Sequence, residues 1–323
     1  MTELVDRLRT LVLRYPSDPD VRFVYADVLA EKGDPRGRFI RAQTALEQRL
    51  PPDAREAAQH EIRSLLGQHE KAWTEPASWA DVRFQGGFIH AIRATIGSFL
   101  EHADALFAVE PVRKVVLRSV TDQALEKLAA HEALARIEQL SLEGAFGDAG
   151  AAAIAKSRHA ASLRALNLNG CALGESFFAA LGNLKALTSL AIPGLAIGDE
   201  NAALLAKAPL AKLERLYAPR NELSDEGAAA LAGAAQWSSL QWLCIGGNEL
   251  SDEGADALAK AKFGNVTHLE INQTGIGDEG VLAIVKGKAF RQLKKIDVRQ
   301  TEVSSEAIKQ LRAKKLTVLG YAW

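Results

Sequence analysis

Leu240-Gln-Trp-Leu-Cys-Ile-Gly-Gly-Asn248-Glu-Leu250-Ser-Asp-Glu-Gly254 repeats, almost residue for residue, the earlier segment Leu213-Glu-Arg-Leu-Tyr-Ala-Pro-Arg-Asn221-Glu-Leu223-Ser-Asp-Glu-Gly227. The same frame opens at Val112, Ile137, Leu163, Leu187, Leu213, Leu240, Val266 and Leu293, every 24 to 27 residues, with a truncated ninth start at Leu316. Self-similarity at this period marks an array of stacked units. Within a frame the apolar residues first alternate, as Leu243 and Ile245 do, and then recur at helical spacing, as Ala255, Leu258 and Ala259 do. Each frame therefore reads as a strand followed by a helix. Between the two sits Ser251-Asp252-Glu253, an N-cap followed by acids in the first helical turn. Ser224-Asp225-Glu226 and Gly277-Asp278-Glu279 occupy the same place. These acids are read as serving their own helix start, not as a metal or acid–base array. One strand–helix unit cannot bury its apolar face alone, so the units must stack.

The pattern L-x-x-L-x-L-x-x-N/C/T-x-L resembles the leucine-rich repeat, with Asn221, Asn248, Cys171, Thr274 and Thr301 at its polar position. The second half, S/G-D-E-G-A-x-x-L-A, resembles the ribonuclease-inhibitor-like class of that repeat. Over residues 112–323 the resemblance implies an α/β solenoid, a right-handed leucine-rich-repeat horseshoe with parallel strands on its concave face and helices on its convex face. It also implies that the Asn side chains bond backbone groups where each strand turns away. Residues 76–111 are read as a junction and N-terminal cap repeat, with a strand over Gly86–Ile92 and a helix from Ser98 to Val109. Leu316 to Trp323 is read as a last strand, with Tyr321 and Trp323 covering the end of the core.

Residues 1–75 lack the repeat. Apolar spacing and Pro/Gly punctuation predict four helices, broken at Pro16–Pro19, Gly33-Asp34-Pro35 and Pro51-Pro52. The residues Tyr25-Ala-Asp27, Gly33-Asp34-Pro35-Arg36-Gly37 and Phe39-Ile40 resemble the short bacterial repeat-companion domain found in front of repeat arrays. Where that family has an aromatic after Asp27, this chain has Val28. Tyr25, Asp27, Arg36 and Gln43 then form either a recognition surface or, for Asp27 and Arg36, an internal pair that holds the turn.

The chain has 323 residues, net charge −1, 48% hydrophobic residues and only 6% aromatics, so its core is aliphatic. That content excludes disorder for the bulk of the chain. Two cysteines, Cys171 and Cys244, exclude a disulfide scaffold. There is no apolar run long enough to span a membrane and no signal-peptide core, so a cytoplasmic location is expected. The seven His match no zinc spacing, and no phosphate loop or nucleophile elbow is present. The reading is therefore non-enzymatic, with no catalytic, cofactor or metal site. Cys244 is expected to point out of the strand face.

Strand alternation tells which residues share that face. One row runs Lys114, Gln139, Ala165, Ser189, Arg215, Trp242, His268, Lys295. The next runs Val116, Ser141, Asn167, Ala191, Tyr217, Cys244, Glu270, Asp297, and the third ends in Pro219, Gly246, Asn272 and Arg299. From residue 213 onward the rows become large and polar or aromatic. Arg215, Tyr217, Arg220, Trp242, His268, Glu270, Lys295, Asp297 and Arg299 are the candidate partner-binding residues; alternatively, Trp242 stacks on Arg215 or His268 as a surface ladder. Ten Lys/Arg lie between 286 and 315, but few aromatics interleave with them, so nucleic acid is not the expected partner. The expected function is a protein–protein interaction module or scaffold. Regulation of a small GTPase, by fold analogy, and a non-catalytic subunit of an enzyme assembly stand as alternatives.

Overall fold

The computed structural model describes residues 2–320, and the expected roles of Tyr321 and Trp323 lie outside the described residues. The chain packs as two compact units that divide between Leu117 and Arg118.

The first unit opens with four helices, α1 (Thr2–Arg14), α2 (Pro19–Glu31), α3 (Pro35–Leu46) and α4 (Pro52–Thr74). Asp18 and Asp34 cap α2 and α3, each followed by Pro at the first helical position. A hairpin follows, β1 (Asp81–Gln85) antiparallel to β2 (Phe88–Thr95), then α5 (Ile96–Phe107). The sequence pattern predicts β2 and α5 but misses β1. Strand β3 (Lys114–Val120) runs across the division.

The hairpin turn, Gly86-Gly87, has φ of +57° and +85°, and a Cβ on Gly87 would lie 2.3 Å from Ile40. Both the conformation and the close approach require glycine. Gln43 accepts the Gly87 N–H at 2.8 Å, and Arg36 donates to the Gly87 carbonyl at 2.8 Å. Arg36 also pairs with Glu110 at 3.0 Å, and Glu110 accepts the Ile89 N–H at 2.7 Å. The guanidinium lies 5.3 to 5.6 Å from the rings of Trp73, Phe84 and Phe88. Burial pushes the Glu110 carboxyl above its ordinary pKa, against the pull of Arg36.

These contacts correct both readings of the repeat-companion motif. Tyr25 is buried and stacks on Phe88, so Tyr25, Arg36 and Gln43 hold the fold and do not form a recognition surface. Asp27 pairs with Arg41 instead of Arg36, because Arg36 is already committed to Glu110 and Gly87.

The second unit is an α/β solenoid. Its strands are β4 (Gln139–Gly144), β5 (Ala165–Asn169), β6 (Ser189–Ala191), β7 (Arg215–Tyr217), β8 (Trp242–Cys244), β9 (His268–Glu270), β10 (Lys295–Asp297) and β11 (Thr317–Leu319). From β4 to β11 each pairs in parallel with its sequence neighbour. The helices are α6 (Asp122–Ala130), α7 (Asp148–Lys156), α8 (Glu175–Ala180), α9 (Gly198–Lys207), α10 (Asp225–Ala232), α11 (Asp252–Ala259), α12 (Asp278–Lys286) and α13 (Ser305–Ala313), each packed on the next. Alternate residues fill the core: Leu166 and Leu168, Leu190 and Ile192, Leu243 and Ile245, and Leu269 and Ile271 are all buried. Burying each such side chain contributes roughly 1.5–3 kcal/mol.

Two side-chain ladders tie repeat to repeat. Asn248 accepts the N–H groups of Asn221 and Leu223 and donates to the carbonyls of Ala218 and Ile245. Asn221 does the same one repeat earlier, with Leu195 and Ile192. Thr274 and Thr301 are shorter and reach only their own repeat, at Ile271 and Val298. Cys171 is half-buried, not fully buried at that position.

The acids form the other ladder, and they do more than serve their own helix starts. Ser224 and Ser251 do cap their own helices. The Asp that follows lies in the first turn of that helix and also serves the helix of the next repeat. Asp225 accepts the N–H groups of Ser251 and Gly254, and Asp148 accepts those of Gly174, Ser176 and Phe177. This explains the glycine of the D-E-G motif. A Cβ on Gly227, Gly254 or Gly280 would lie 2.2 to 2.4 Å from the Asp oxygen of the preceding repeat.

Candidate functional site

The strand register fixes which side chains share the sheet face. Arg215, Trp242, His268 and Lys295 are partners across four strands, and so are Tyr217, Cys244, Glu270 and Asp297. Both expected rows therefore exist over β7 to β10. Tyr217 is 42% exposed and Trp242 38% exposed, although each stands on a regular strand whose core residue, Leu216 or Leu243, is buried. The Trp242 ring lies 6.2 Å from His268 at 42°, so it leans on His268 without being covered by it.

Two members of the rows are not exposed. Cys244 lies on the expected face but is buried, flanked by Tyr217 and Glu270 along the cleft wall. Burial and the Glu270 carboxylate push its thiol up to about 12, which removes it as a nucleophile. Asp297 is also buried, at 2% exposure, because Arg299 folds back on it. The Arg299 Nη2 lies 2.6 Å from one carboxylate oxygen, and its Nε and backbone N–H reach the other. Asp297 thus positions Arg299 and is closed to other ligands. Arg215, Arg220, His268 and Arg299 are exposed, while Glu270 and Lys295 are half-buried.

A cleft of about 550 Å³ opens along this face. Tyr217, Arg220, Glu270, Asn272 and Arg299 line it, and Asn169, Pro193 and Pro219 extend it along the third row. A second cleft of about 460 Å³ adjoins it at Gln273, Arg299, Gln300 and Val303.

Gln273 and Gln300 are functional candidates that strand alternation misses, because they lie one residue past the last row. In that position the chain adopts the left-handed conformation in successive repeats: Gly170, Gly194, Arg220, Gly247, Gln273 and Gln300 have φ from +56° to +68°. A side chain there costs roughly 1–2 kcal/mol relative to glycine. The sequence signal is the glycine at 170, 194 and 247, which marks the column whose other members are Arg220, Gln273 and Gln300. These three are linked: Arg220 donates to Gln273 at 3.0 Å, and Gln273 donates to Gln300 at 2.8 Å.

Among the described residues no group of three or more His, Cys, Asp or Glu is placed to hold a metal ion. None of the described helices is long and apolar enough to cross a membrane.

Residues 238–259 and 265–285 match the family model of the leucine rich repeat. Those matched segments contain β8, β9, α11 and all but the last residue of α12, and so include Trp242. No curated protein matches the sequence. Solved structures are similar to the chain at low identity. The Rad7–Elc1 complex of yeast is 12% identical with a TM-score of 0.47, covering 90% of this chain and 81% of that one. A Bacteroides fragilis protein is 14% identical with a TM-score of 0.46, covering 84% of each chain. The complex of TLR13 with ssRNA13 is 16% identical with a TM-score of 0.43, covering 72% of this chain. The match spans about a third of that TLR13 chain, 33% of its length.

Proposed function

We propose that the leucine-rich repeats form a non-catalytic protein-interaction module that binds a protein partner through the strand face from β7 to β10. The observation that carries this is the exposure of Tyr217 and Trp242 side by side with Arg215 and Arg220, where the fold has no need of them. Tyr, Trp and Arg are the residue types on which protein interfaces concentrate their binding energy. The strand–helix repeats of 24 to 27 residues support the ribonuclease-inhibitor-like class. The first unit is read as a repeat-companion domain on the strength of its Tyr25-Ala-Asp27 and Gly33–Gly37 motifs, whose side chains work internally.

The test is affinity purification of the tagged full chain, compared with the Tyr217→Ala/Trp242→Ala chain. A partner held in fixed ratio by the native chain is expected to be lost from the double variant, with its urea midpoint little changed. Retention of every partner by the double variant overturns the strand-face reading.

A further inference from the structure

Three of the last four positions in the left-handed column carry Arg220, Gln273 and Gln300. The fourth is Gly247, and a Cβ there would lie 2.6 Å from the Arg220 Cγ. Its bare backbone is what lets Arg220 lie across an entire repeat to reach Gln273. The resulting ladder has a direction. A guanidinium can only donate, so Gln273 must turn its carbonyl oxygen toward Arg220 and its amide nitrogen toward Gln300. Gln300 must then accept with its carbonyl. Each ladder carbonyl already accepts one bond, and the charged donors that the ladder offers outward are those of Arg220, with the amide nitrogen of Gln300 beside them.

The charge around it agrees. Among the described residues neither Arg215 nor Arg220 has a carboxylate within ion-pair distance. Arg299 closes the Asp297 carboxylate, which leaves Glu270, beside the Cys244 thiol, as the acid lining the larger cleft. Donors spread over four repeats span roughly 14 Å at the spacing of paired strands, or about four residues of extended chain. That is too long for one phosphate group and suits a series of carboxylates.

We propose that the bound element of the partner is an extended acidic segment, with Asp or Glu carboxylates received along Arg220 and Gln300 and an apolar side chain set against Tyr217 and Trp242. This rests on the strand-face reading and adds the chemistry of the ligand to it. Charge-assisted hydrogen bonds to guanidinium make the pairing selective.

The test is fluorescence anisotropy at low salt, using the full chain and two labelled peptides. One peptide carries four glutamates around a phenylalanine; the other has glutamine in place of each glutamate. The glutamate peptide is expected to bind about tenfold more tightly or better. Arg220→Ala and Gln273→Glu are each expected to weaken it about tenfold, the latter by supplying Arg220 with an internal carboxylate. Tyr217→Ala weakens both peptides. Equal affinity for the two peptides, binding of neither, or unchanged affinity in both Arg220→Ala and Gln273→Glu overturns the proposal. So does displacement by single-stranded polyuridine RNA that is more effective than displacement by unlabelled glutamate peptide. A native partner kept by Arg220→Ala and by Gln273→Glu but lost from Tyr217→Ala/Trp242→Ala overturns the acidic ligand and leaves the strand face standing. A partner kept by all three variants removes the strand face as well.

Discussion

Asn248 shows how one side chain can hold two repeats. It is 4% exposed and satisfies four backbone groups, the N–H of Asn221 and Leu223 and the carbonyls of Ala218 and Ile245. None of these groups has water to fall back on, and each one left unpaired costs about 1–3 kcal/mol, partly offset by local relaxation. Asn248→Ala is therefore expected to lower stability by about 3 kcal/mol, read as a drop in the urea midpoint. Thr301→Ala at the equivalent position removes a bond to the Val298 carbonyl and a long one from the Val303 N–H, both within its own repeat and at a half-buried site, and its cost is expected near 1 kcal/mol. Equal costs at the two sites would mean that reaching across repeats adds nothing. The sequence marks both positions as polar members of the frame. The difference between them is a matter of side-chain length, since an amide spans to the preceding strand and a hydroxyl does not.

Helices in this array are tied to one another at their starts. Each Asp in the first turn of one helix receives the first amides of the next helix, so the N-terminal groups that a helix cannot satisfy itself are satisfied by its neighbour. At Asp148, burial alone would raise the pKa. The N–H groups of Phe177, Gly174 and Ser176 and the Ser176 side chain outweigh it, and the carboxyl titrates below its ordinary value of 3.8. A folded-state pKa below the unfolded one gives stability that is present above the unfolded value and lost as pH falls through the folded one. Asp148→Asn is expected to cost about 1 kcal/mol at neutral pH, as loss of a helix cap does, and to narrow the gap from the native chain as pH falls below 3.8 toward the lower folded-state value. Urea titrations at pH 7 and pH 3 check this; a constant difference at both values would contradict it. Sequence spacing placed these acids at helix starts, which was correct. The second role of each Asp, at the next helix, is not legible there, because a period of 24 to 27 residues says that frames are adjacent but not which side chains cross between them. The same limit hid Gln273 and Gln300. Alternation identifies the strand rows, while the left-handed residue beyond them is marked only where it is glycine.

From β4 through β11 each strand pairs with its sequence neighbour, and the Asn and Asp side-chain bonds described above join adjacent repeats. Arg220 is the exception, since it passes over Gly247 to a repeat two away. In such an array stability is a sum of repeat terms and nearest-neighbour terms, so a defect should spread only as far as the coupling carries it. The proposed binding surface lies on the last four strands before β11, far along the sequence from the bland faces of β4 to β6. Local perturbation there can therefore change binding without unfolding the rest. Hydrogen exchange on Asn248→Ala is the direct measurement. Protection of the strand amides of Leu216, Leu243 and Leu269 is expected to fall by about two orders of magnitude, as a loss of about 3 kcal/mol dictates for groups that open with the damaged repeats. Protection at Leu140 and Leu166 is expected to stay within a few fold of the native chain. A uniform loss from β4 to β10 would show that the second unit opens as one block, and the strand face could then not be tuned apart from the array that carries it.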